Sequence, residues 1–159
     1  MTDRTRAAGV LGALGGVAAI VLAPLVAAAS TAAAQVERGV SPTVNPVFGA
    51  FLSFDTPQAV YLAYSKVWLG VLLAFLVAAL ALRTRVGAQL GARGERGFQA
   101  LLVGLAGAAV GNLADFWIAL GPSAATIVHV VFSVGGLLVA MAGATLVGFE
   151  ARKANALPR

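Results

Sequence analysis

Four long apolar runs fill most of this 159-residue chain and restrict it to one kind of fold. They cover about 7–30, 65–82, 98–120 and 124–148. Each holds about 18 residues or more, and a rise of ~1.5 Å per residue carries such a run across a hydrocarbon core of ~30 Å. Inside a bilayer the backbone must satisfy its own hydrogen bonds, so spans of this length are helices. The sequence therefore predicts an all-α, integral membrane four-helix bundle in a single membrane domain. The longest interval between runs, 31–64, is about 34 residues, too short for a further soluble domain. Composition agrees, with 60% hydrophobic and only 11% charged residues. There is no cysteine, which excludes disulfides, thiolate metal centres and iron–sulfur clusters.

A net charge of +5 invites the idea of a nucleic-acid partner, but the placement of the charges argues against it. Arg4 and Arg6 precede the first run; Arg83, Arg85, Arg93 and Arg96 lie between the second and third; Arg152, Lys153 and Arg159 follow the fourth. The interval between the first two runs carries only Arg38 and Lys66. This is the positive-inside pattern. It predicts a multi-pass protein of the cytoplasmic membrane with both termini, the 83–97 loop and the 149–159 tail in the cytoplasm. The expected partners are the lipid bilayer and either further copies of the chain or a larger membrane complex. Recognition of anionic lipid usually takes denser basic clusters than these.

The first run has a rival reading. Met1–Arg6 is a short basic stretch, and Ala32 and Ala34 form an A-x-A site before Gln35, as in a secretory signal peptide. Removal of residues 1–34 would leave three helices. The apolar run exceeds the ~7–15 residues of a signal core, and glycines at 9, 12, 15 and 16 suit helix packing, so a retained helix is the expectation. Pro24 should kink it.

The outer interval contains two helix starts, Asn45-Pro46 and Thr56-Pro57, each a good N-cap followed by proline. The first predicts a short interfacial helix over 46–53, with Phe48, Phe51 and Leu52 on one face. The second opens the helix that continues through Leu82. Tyr61, Tyr64 and Trp68 would form an aromatic belt at its outer end, with Lys66 snorkelling beside them. The glycine- and arginine-rich 83–97 segment reads as a mobile loop.

The third and fourth runs meet at Leu120-Gly121-Pro122-Ser123, which predicts a tight helical hairpin. In an antiparallel hairpin, residues at equal depth have numbers with a constant sum. Centring on Pro122 sets Asp115 level with His129, about 9 Å below the turn. His129 is the chain's only histidine. Gly104, Ala108 and Gly111 lead to Asp115 on one helix face, and His129 leads through Ser133 to Gly136 and Ala140 on the other. Paired by the same sum, the two stripes of small residues would allow close approach.

A carboxylate inside a membrane helix is costly, ~2.5–3.5 kcal/mol at the centre. Asp115 and His129 can offset that as an ion pair or as a neutral couple sharing a proton, and either titrates as a unit. Asn112 adds a hydrogen bond and Ser133 a hydroxyl. Three readings follow. In the first, a structural or accessory subunit uses the pair to lock the hairpin. In the second, an oligomer uses it as a proton or ion relay. In the third, a membrane enzyme holds an outward-facing polar pocket near Trp117, Asp115 and His129. The first, non-enzymatic reading is the expectation. No catalytic motif is present: Ser133 and His129 share one helix without a nucleophile elbow or oxyanion loop. No cofactor or metal is expected. A haem would need His129 from two chains, and Asp115 with His129 supplies too few metal ligands.

Overall fold

A computed structural model describes residues 3–41, 57–118, 124 and 127–156. Regular structure among them is helical throughout, without a strand. Helix α1 spans Asp3–Glu37, α2 spans Pro57–Val86 and α3 spans Gly91–Phe116. A π-helical segment, His129–Val134, leads into α4, Gly135–Lys153. Four helical spans, Arg6–Glu37, Leu62–Gln89, Gly91–Phe116 and His129–Lys153, are long and apolar enough to cross a membrane. The short helix predicted over 46–53 and the 120–123 turn lie outside the described residues.

Helix α2 begins at Pro57, as the Thr56-Pro57 signal requires. Proline there has no N–H to lose, and its fixed φ is already helical. Helix α1 continues through Pro24, so the proline does not end it. It also runs unbroken past Ala34 and Gln35, with Ala32 buried.

The 83–97 segment is not the loop its composition suggested. Helix α2 extends to Val86, a single 3₁₀ turn covers Gly87–Gln89, and α3 starts at Gly91. Gly91 takes a left-handed φ of +64°, which a side chain would resist. The corner is held from inside by Val86, Leu90, Phe98, Val147 and Ala151, with Phe98 fully buried. Outside, the Arg83 guanidinium donates to Glu95, with Nε 3.2 Å from Oε2. Arginines read as loop residues are thus the outer face of an ordered corner.

The helices form two antiparallel pairs. In α1–α2, Gly12 faces Ala78 and Gly15 faces Ala74. In α3–α4, Gly97 faces Val147, Gly104 faces Ala140 and Gly111 faces Ser133. A second buried cluster, including Leu72, Ala79, Leu105, Ala108 and Ala140, joins α2 to the α3–α4 pair. The N-terminus of α1, the α2–α3 corner and the C-terminus of α4 therefore share one end of the bundle. That end carries Arg6, Arg83, Arg85, Arg93, Arg96, Arg152 and Lys153.

Candidate functional site

The α3–α4 seam is built backbone against backbone. A Cβ added at Gly136 would stand 2.6 Å from the Ala108 nitrogen, and one at Gly111 would stand 2.6 Å from the Ser133 nitrogen. Real carbon atoms do not come so close, so glycine is required at both places. Gly104 meets the backbone of Gly136 and Ala140 in the same way. Ala108 and Ala140, the remaining small residues of the stripes, are buried. The pairing extends two steps past the predicted residues, with Gly143 against Leu101 and Gly97 against Val147. Lipid offers no hydrophobic force between helices, so this close van der Waals fit is what holds the pair together.

At the far end of the seam the structure brings Asp115 and His129 together, with His129 Nδ1 2.7 Å from Asp115 Oδ2. The aspartate side chain is 14% exposed and the imidazole 42%. The carboxyl group is thus enclosed while one edge of the ring stays open. Nδ1 is taken, which leaves Nε2 for any third group.

The other two polar residues named from the sequence lie elsewhere. Asn112 does not join the pair; its Nδ2 donates to the backbone oxygen of Ser65 on α2, at 2.9 Å. At ~100° per residue, three positions separate Asn112 from Asp115 by about 60° around the helix. Asp115 therefore faces α4 while Asn112 faces α2. A carbonyl oxygen only accepts, so the amide is oriented with Nδ2 toward Ser65 and Oδ1 is left over. Ser133 Oγ is buried beside Gly111 and makes no hydrogen bond to His129. The nucleophile–base contact that a serine hydrolase needs is not formed.

The π segment starts at His129, and the Gly135 N–H bonds back to Phe132 and to Val130, the latter five residues earlier. Such wide turns are rare and concentrate at functional sites, because they re-aim side chains that an α-helix would send elsewhere.

His129 and Ser133 also line a cavity of about 320 Å³ to which all four helical spans contribute. Helix α1 contributes Ala23, Val26 and Ala27; α2 contributes Ser65, Trp68 and Leu72. The Trp68 indole is partly buried against the core and lines this cavity. Lys66 finds its aromatic partner in Trp117, with Nζ 5.5 Å from the ring centroid. Asp115 and Trp117 are not part of the cavity wall. Among the described residues, no three His, Asp or Glu side chains cluster as a metal site would need.

Sequence reading missed Ser65. The signal was present: numbers paired across Gly87–Gln89 set Ser65 level with Asn112, by the same rule that pairs Asp115 with His129. The α1 side of the cavity had no such signal, since the outer interval separates α1 from α2 without a tight turn. Comparison with models of protein families, with curated proteins and with solved structures gives no match.

Proposed function

We propose that this chain is a non-enzymatic, four-helix protein of the cytoplasmic membrane, a structural or accessory subunit in which Asp115 and His129 clasp α3 to α4. Its basic end, with both termini, faces the cytoplasm by the positive-inside rule. The observation that carries the reading is the 2.7 Å bond between the two ionisable side chains at the end of the backbone-close seam. Each satisfies the other, which is what a polar pair used as interhelical glue must do. The chain acts within the bilayer, in an oligomer or beside a larger membrane complex.

A second reading, a proton or ion relay, draws on one observation: His129 lines the four-helix cavity while bonded to Asp115. One substitution separates the two. Asp115→Asn keeps a hydrogen-bonding group and removes the titrating one. As a clasp, it should melt within a few degrees of the parent in detergent, with Asp115→Ala clearly lower. As a relay, Asp115→Asn should abolish proton flux into liposomes. Parent-level melting with lost flux would sink the clasp reading.

A further inference from the structure

The cavity has the makings of a ligand site, and the Asp115–His129 pair dictates what it would accept. Nine of its thirteen lining residues are apolar, and the polar ones, Ser65, Asn112, His129 and Ser133, come from α2, α3 and the π segment. The α1 wall is three apolar residues. This division of apolar and polar surface fits an amphipathic molecule. On the polar side, Ser65 and Asn112 are 3% and 4% exposed. Ser65 Oγ, Asn112 Oδ1 and Ser133 Oγ have no partner within the described protein, although buried polar atoms are nearly always paired.

His129 supplies the polar anchor. Its Nδ1 is held by Asp115 Oδ2, which leaves Nε2 as the ring nitrogen for a ligand. When the ring is an imidazolium, or is neutral and accepts at Nδ1 from a carboxylic acid, Nε2 carries a proton and donates to an acceptor oxygen. The serine hydroxyls turn about a single bond and can donate to the same atom.

We propose that the four-helix cavity binds a lipid-soluble carbonyl compound, with an apolar body against α1 and Leu72 and its oxygen accepting from His129 Nε2. The π segment then presents the anchor, and Asp115 acts as a positioning residue that fixes the proton on the nitrogen facing the ligand.

The test uses the full chain in alkyl maltoside micelles, which carry no carbonyl. The sequence has two tryptophans, so a Trp117→Phe background leaves Trp68, on the cavity wall, as the reporter. A medium-chain bromoalkyl methyl ketone should quench Trp68 saturably, and the bromoalkane of equal length should bind about tenfold more weakly. His129→Phe should cost the ketone about tenfold, and His129→Gln, which restores an N–H at similar reach, should recover most of it. Ala27→Phe fills the cavity from α1, away from the seam, and should abolish saturable quenching. Equal quenching by ketone and alkane would overturn the proposal, as would quenching that survives Ala27→Phe. A bromoalkyl ester compared with the ketone tells a membrane-lipid ester from a free ketone; preference for either over the alkane supports the site.

Discussion

The two antiparallel pairs are made of the same small residues yet are held in different ways. In α3–α4 the glycines meet backbone: Gly104 faces the nitrogen and Cα of Ala140 and the oxygen of Gly136. In α1–α2 they meet side chains: Gly12 faces the Ala78 methyl and Gly15 the Ala74 methyl. The first pair ends in a hydrogen-bonded polar couple. A backbone cannot move aside without disturbing its own helix, whereas a methyl group can be removed by mutation. Glycine count alone therefore says little about how firmly two membrane helices are joined; what the glycine faces decides it.

The largest effect should come from Gly104→Ala. Overpacking of this kind costs roughly 3 kcal/mol, and since the obstruction is backbone, no single side-chain deletion should restore the melting temperature. Recovery by a neighbouring substitution would show the seam to be as yielding as α1–α2. Gly12→Ala should cost about 1–2 kcal/mol, with most of it returned by Ala78→Gly in the double variant. Failure of that rescue would erase the contrast between the pairs. Gly9→Ala, where nothing lies within 4 Å, is the control and should leave melting unchanged.

Asn112→Ala tests the join between the pairs. It removes the bond to the Ser65 carbonyl and should cost about 1 kcal/mol. Hydrogen exchange should then quicken on the half of α2 that holds Ser65 while the α3–α4 amides stay protected; equal loosening of both would mean that the seam depends on α2. The smallest effect is Arg83→Gln at the corner, whose partly exposed ion pair with Glu95 should contribute less than about 1 kcal/mol. A larger loss would mean that the corner is held from outside and not by Phe98.

What could be read from the sequence was whatever depends on one helix or on two helices joined by a short turn. The apolar runs are long enough to declare themselves. The meeting of Asp115 with His129 follows from counting away from Pro122 along two antiparallel helices. Thr56-Pro57 marked the start of α2 through local capping chemistry. What could not be read depends on packing between elements not tied by a turn. The 83–97 segment looked mobile because its arginines and glycines dominate the composition, while its order comes from Phe98, Val86 and Leu90 meeting Val147 far along the chain. Depth along α2 placed Trp68, but that it lines a cavity depends on packing with α1, α3 and the π segment. The π segment leaves no mark in residue type, and the cavity beside it cannot be read from the sequence.

The unequal lengths of the helices have a mechanical consequence. Helix α1 has 35 residues and α3 has 26, or ~52 Å and ~39 Å if straight. Their apolar runs, 7–30 and 98–120, are nearly equal, so the surplus of α1 lies beyond its apolar run. Helix α1 is also the apolar wall of the cavity and meets α2 through methyl groups, so it is a wall that a change of side chain can reposition without pushing on backbone.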